Sequence, residues 1–125
     1  MIEGYFSRIE YLIQNFPDIS NYTIRKTVYN NKQGCINGSI QFKNGYCLEF
    51  VEVKQTDKEA KIKYRYHFMD PEQNLVFRYD NANHFPNINT FPHHKHFSAG
   101  VKDCKEPTME NILLEIAAMN ADDLP

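Results

Sequence analysis

Tryptophan is absent from the 125-residue sequence, and cysteine occurs only at Cys35, Cys47 and Cys104. An odd number of cysteines without C-x-x-C spacing argues against a disulfide framework or a thiolate metal site. It reads instead as reduced thiols in a cytoplasmic protein. No stretch approaches the roughly 20 apolar residues of a bilayer span. The opening Met1-Ile2-Glu3-Gly4-Tyr5 lacks the basic and apolar regions of a signal peptide, so no membrane association is expected. Internal repeats, low-complexity tracts and linkers are missing as well. The net charge is only −2, which by itself argues neither for nor against a nucleic-acid partner.

What is present suits one globular domain over residues 1–125. Hydrophobic residues make up 42% and aromatics 14% of the chain, and this length can bury a core without staples. Charge is unevenly spread. Lys61, Lys63, Arg65, Arg78, Lys95 and Lys102 face only Asp70, Glu72 and Asp80 between residues 61 and 102. Beyond 102, Asp103, Glu106, Glu110, Glu115, Asp122 and Asp123 face only Lys105. Such asymmetry suggests a basic working surface and an acidic terminal segment. That segment could cover the basic face of a second copy, which makes a homodimer one expectation.

Apolar residues at Ile2, Tyr5, Phe6, Ile9, Leu12, Ile13 and Phe16 predict an amphipathic helix over 2–15, ended before Pro17. Strands are predicted at 22–29, 36–43 and 46–54. Asn44-Gly45 is read as a two-residue hairpin loop, and a bulge is expected near Phe50, where the apolar pattern passes from Leu48 and Phe50 to Val51 and Val53. Two cleaner strands follow at 61–68 and 74–80. Ile62, Tyr64, Tyr66 and Phe68 alternate with Lys61, Lys63, Arg65 and His67 in the first. If Asp70-Pro71-Glu72-Gln73 is the loop and Met69 pairs with Asn74, Arg65 faces Arg78, Lys63 faces Asp80 and His67 faces Val76. Those residues then share a charged side of the sheet, and the aromatics share the other. Residues 82–97 show no periodicity, but Phe85, Ile88, Phe91 and Phe97 can anchor them as an ordered loop. Pro107 suits the first turn of a closing helix with a stripe of Met109, Ile112, Leu113 and Ile116. The expected fold is α+β: a twisted antiparallel five-strand meander with an N-terminal and a C-terminal helix on one face.

All five histidines, His67, His84, His93, His94 and His96, lie between residues 67 and 96. Three chemistries compete for them. Metal ligation could use His93 or His94 with His96, completed by His84 or His67. Against it stand the absence of HExxH spacing and the scarcity of carboxylates apart from Asp80. Metal-independent ribonuclease chemistry needs a base, an acid and cations for a developing phosphorane. Histidine, with an ordinary pKa near 6.5, suits the first two roles, and arginine's fork suits the third. A purely structural role is the third reading, with Asp80 neutralising a neighbouring cation and Asn81 making a turn.

The runs "YRYHFMD" (64–70), "NLVFRYDNANH" (74–84) and "FPHHKH" (91–96) together resemble the TumE-type family of toxin components of toxin–antitoxin pairs. The resemblance implies a toxin-like protein with a cognate antitoxin partner, acting on RNA or translation. Its motif selects Tyr64, Arg65, His67, Arg78, Tyr79, Asp80, Asn81, His84, Pro92, His93, His94, Lys95 and His96. Asn83 and Phe85 stand where other members often carry proline and a second histidine. The combined expectation is a type II toxin acting as a metal-independent endoribonuclease or another RNA-directed inhibitor of translation, with no cofactor. Arg65 and Arg78 take phosphate, and His67 with one of His84, His93 or His96 serves as acid and base. Asp80 orients them, and Lys63, Asn81, His94 and Lys95 support the substrate. A non-enzymatic nucleic-acid or protein binding module and a histidine-ligated metalloenzyme are the alternatives.

Overall fold

The computed structural model describes residues 1–122. Its elements run α1 (Ile2–Gln14), β1 (Ile19–Val28), β2 (Gln33–Phe42), β3 (Cys47–Gln55), β4 (Lys63–Met69), β5 (Leu75–Asp80), β6 (His94–Phe97), β7 (Gly100–Asp103) and α2 (Met109–Asp122). Ile2, Phe6, Ile9 and Ile13 are the buried side of α1, spaced as one face of a 3.6-residue repeat requires. The Asn15 side chain donates to the Tyr11 carbonyl at 2.8 Å and closes the helix before Pro17. At α2 the cap is Thr108, with Pro107 just outside the helix. Thr108 Oγ1 accepts the Asn111 N–H at 3.1 Å, and Asn111 Oδ1 accepts the Thr108 N–H at 3.0 Å. This reciprocal pair satisfies two amides that have no partner within the helix.

The strands form one antiparallel sheet of seven, in chain order from β1 to β7. The α+β class and the meander agree with expectation; the count of five does not. The extra strands come from the stretch read as loop and from the residues just after it. β6 is His-Lys-His-Phe, four residues long with polar groups on both faces, so it shows no period-two contrast in apolar character. β7 is equally short. Pairing alone defines them.

Two further corrections concern β3. The bulge expected near Phe50 is absent, since β3 keeps an unbroken register from Cys47↔Met69 to Val53↔Lys63. Glu52 and Lys54 simply continue the inward face and are buried. Glu52 accepts hydrogen bonds from Tyr5, and from Tyr66 at 2.7 Å. Lys54 donates to the carbonyls of Lys58 and Glu59 at 2.6 and 2.7 Å. Partners of this kind make buried charge tolerable. The β2–β3 hairpin also has a three-residue loop rather than two. The Phe42 N–H donates to the Tyr46 carbonyl at 2.9 Å, and Gly45 closes the turn at φ +89°, a conformation that glycine adopts without strain.

The β4–β5 register differs from expectation by two residues, in two steps. Asp70 pairs its N–H with the Asn74 carbonyl at 3.0 Å, so the loop is Pro71-Glu72-Gln73 and one residue shorter. A bulge between Phe68 and Met69 supplies the second step. An even shift preserves every side-chain face while changing every partner. Arg65 therefore pairs with Asp80, and His67 pairs with Arg78.

The core lies between the inner face of the sheet and the helices. Ile40, Leu48, Phe68 and Phe77 succeed one another across β2 to β5 and are buried with α1 and with Met109, Ile112 and Ile116 of α2. Burial of each such side chain contributes about 1.5–3 kcal/mol. Gly38 is required by closeness, because a Cβ there would lie 2.2 Å from the Thr23 carbonyl oxygen. Among the described residues no helix is long and apolar enough to cross a membrane.

Candidate functional site on the helix-free face

Parity carries Glu49 of β3, Arg65 and His67 of β4, Arg78 and Asp80 of β5, and His94 and His96 of β6 onto the face opposite the core. There the register aligns them in two rows across the strands. One row is Glu49–His67–Arg78–His96, and the other is Val51–Arg65–Asp80–His94–Asp103. Neighbouring strands lie about 4.8 Å apart, so His67 and His96 flank Arg78 from either side. The rows are local products of alternation, and neither needs an unusual backbone.

At their centre is Asp80, a buried carboxylate. Its Oδ1 accepts the Ala82 N–H at 3.0 Å and lies 2.8 Å from His94 Nε2. Its Oδ2 accepts from Arg78 Nε at 3.2 Å and lies 3.8 Å from His96 Nε2. Arg78 reaches on to His96, Nη2 to Nε2, at 3.2 Å. A guanidinium can only donate, so His96 Nε2 is the acceptor and its other nitrogen carries the proton. His94 Nδ1 lies 2.9 Å from the Pro92 carbonyl, which can only accept, so Nδ1 is protonated. Phe85 packs edge-on against both rings, with centroids 4.9 Å from His94 and 5.6 Å from His96.

The open side is a groove of about 420 Å³ lined by Lys63, Tyr64, Arg65, Arg78, Asp80, Asn81 and His84, among others. Lys63, Arg65 and His84 are exposed. Asn81 splints the rim, accepting the Tyr64 N–H at 3.0 Å and donating to the Ile62 carbonyl at 3.2 Å. Burial, then the Arg78 charge, pull the imidazoles of His67 and His96 below their ordinary pKa. Glu49 pulls the other way on His67, as Asp80 does on His96.

Arg65, His67, Arg78, Asp80, His94 and His96 are thus brought together, with Lys63, Asn81 and His84 at the groove. Lys95 and His93 are not. Lys95 alternates to the core side, paired with Glu115 of α2 at 2.8 Å and seated over the Tyr79 ring. His93 stacks on Tyr64, with Nδ1 2.9 Å from its hydroxyl. Burial raises the Tyr64 pKa, so that hydroxyl keeps its proton. Tyr79 likewise points inward and donates to Glu115 at 2.6 Å. The acidic segment therefore neutralises Lys95 through Glu115, and Lys61 through Glu106 at 3.4 Å, within the chain. Asp123 of that segment lies outside the described residues. Glu49 and the Pro92 carbonyl join the group unanticipated. Outward parity in β3 could have signalled Glu49; nothing in the local sequence signals a backbone carbonyl.

Fold and face together define a small α+β protein whose bare sheet surface presents interleaved imidazoles, guanidiniums and one central carboxylate. The family model described as Toxin TumE matches residues 9–120, and the chain belongs to that family. Membership makes it a toxin-family protein and implies an antitoxin partner. No curated protein and no solved structure matches the chain.

Proposed function

We propose that this toxin acts on RNA, as an endoribonuclease working at the helix-free face of the sheet. The observation that carries the reading is the placement of His67 directly beside Arg78, with Arg65 in the adjoining row. Arg65 and Arg78 bind the scissile phosphate through their planar donor forks. Burial, and after it the Arg78 charge, favour the neutral form of His67, the form needed to accept a proton. As the ribose 2′-hydroxyl gives its proton to His67, its oxygen bonds to phosphorus and the bond to the 5′ oxygen breaks. The departing oxygen takes a proton from water, leaving a 2′,3′-cyclic phosphate and a 5′-hydroxyl end. Exposed Lys63 and His84 at the groove extend the contact along the neighbouring backbone. The working compartment in this reading is the cytoplasm, where translated RNA lies, and the antitoxin silences the protein until released.

The test is turnover. Sub-stoichiometric purified protein is incubated with total RNA and the new ends are identified chemically. Cyclic phosphate ends that vanish in His67→Gln are expected. RNA shifted in mobility but left intact would reduce the face to a binding surface, and RNA neither bound nor cut would overturn the reading.

A further inference from the structure

Asp80, His94 and His96 gather in one cluster beside the groove. The Pro92 carbonyl takes the proton-bearing Nδ1 of His94, at 2.9 Å, and so turns Nε2 toward Asp80. His94 is 1% exposed, and its Nε2 has no hydrogen-bond partner although Asp80 Oδ1 is only 2.8 Å away. The two atoms are close but not in line, so a proton on Nε2 would point past the oxygen. An unpartnered buried nitrogen against a carboxylate is costly unless something shared sits between them. His96 Nε2 is the third donor, shown to be an acceptor by the guanidinium it meets at 3.2 Å.

We propose that Asp80, His94 and His96 form a binding site for a divalent first-row transition-metal ion, Zn²⁺ being the best match. The donor atoms of the three residues lie within 4.8 Å of one another. Two ligands of a shared zinc ion, each about 2.0–2.1 Å from it, are themselves about 2.9–3.4 Å apart. Asp80 Oδ1 lies 2.8 Å from His94 Nε2 and Oδ2 lies 3.8 Å from His96 Nε2, so each imidazole is within about half an ångström of that range through its own carboxylate oxygen. Two imidazoles and a carboxylate suit zinc rather than magnesium, which prefers oxygen ligands alone. The Pro92 carbonyl is the outer partner that a metal-bound histidine typically uses to fix its tautomer. Phe85 covers the histidines and restricts water.

Arg78 stands at Asp80 Oδ2 and His96 Nε2 now, a cation already held where cationic charge is wanted. Its side chain is 34% exposed and free to swing into the groove as the ion enters. Three protein ligands would leave a fourth position for water or substrate, the arrangement of catalytic rather than structural zinc, and Asp80 is the ligand that lines the groove. This deepens the RNA reading and rests on it for the role of the ion. It replaces the metal-independent chemistry expected from sequence: His96 becomes a ligand and His67 remains the proton acceptor.

The experiment is calorimetric titration of chelator-stripped protein with ZnCl₂ alone, without RNA, with MgCl₂ as the control. One zinc per chain is expected, with no magnesium uptake. His96→Ala, on a half-buried residue, is expected to weaken zinc more than about tenfold, while His84→Ala leaves it unchanged. Because His94→Ala could unfold the protein, histidine ¹⁵N spectra of the parent supply the second readout. Zinc should move Nε2 of His94 and His96 and leave His93 in place. No stoichiometric zinc, or zinc held equally by His96→Ala, overturns the site whatever the RNA assay gives. Zinc bound as expected with RNA left intact overturns the RNA reading and leaves the ion site standing.

Discussion

Replacing Asp80 with alanine should be the most damaging single change on this face, and Asp80→Asn should be much milder. In alanine the Ala82 N–H loses a charged acceptor at 3.0 Å, a loss of about 1.5–3 kcal/mol when the donor stays buried. The Arg78 contact is a third exposed on the arginine side, so solvent screening limits its share to at most about 1 kcal/mol. The sum is about 1.5–4 kcal/mol. Asparagine with its oxygen at the Oδ1 position keeps the Ala82 N–H and turns its amide toward His96 Nε2 in place of the Arg78 contact, which would limit the loss to about 1 kcal/mol. A chain of this length loses roughly 3–4 °C in Tm per kcal/mol, hence roughly 4–16 °C for alanine. Urea and thermal unfolding in the presence of chelator measure both variants, so that ion binding does not enter. Asp80→Ala within about 0.5 kcal/mol of the parent, or Asp80→Asn as unstable as alanine, would refute the account of Asp80 as the hub of the face.

Arg78→Ala should abolish growth arrest while changing stability by no more than about 1 kcal/mol; a folded variant that still arrests growth would remove Arg78 from the site. The same variant should raise the NMR titration midpoints of His67 and His96, since the charge that lowers both is gone. Both imidazoles resist protonation when folded, so the unfolded chain binds more protons just below pH 6.5 and stability should drop as pH falls through that window. Urea unfolding at pH 7.5 and 5.5 reads this, with a smaller drop expected in a His67→Gln, His96→Gln double variant. Lys95→Met should leave RNA cleavage per folded molecule unchanged, because Lys95 lies on the core side against Glu115; a large loss of cleavage would contradict its placement.

Alternation carried most of what could be read in advance. In β4 the residues Tyr64, Tyr66 and Phe68 are buried, and Arg65 and His67 lie on the other side, so faces follow from a period of two whatever the partner strand does. Register was not legible. It depended on a loop one residue shorter than composition suggested and on a bulge at Phe68 and Met69, which leaves no local mark. β3 misled for the opposite reason, since Glu52 and Lys54 on the core face resemble a break in pattern until their buried partners are seen. The cluster of histidines marked where chemistry would lie. It could not tell His93 and Lys95, turned to the core side, from His94 and His96, because four residues hold too few alternations to assign faces.

Each strand of the sheet pairs only with its neighbours in the chain. Assembly can therefore proceed as successive hairpins, each strand docking on the one before it. The β4–β5 hairpin already sets His67 beside Arg78 and Arg65 beside Asp80. His94 and His96 arrive only when β6 docks, after closure of the longer segment 81–93, whose entropic cost is greater than that of a tight turn. The face is thus completed in two stages, anion-binding half first and buried imidazoles second. A nascent chain halted between them would carry the arginines but not the finished site.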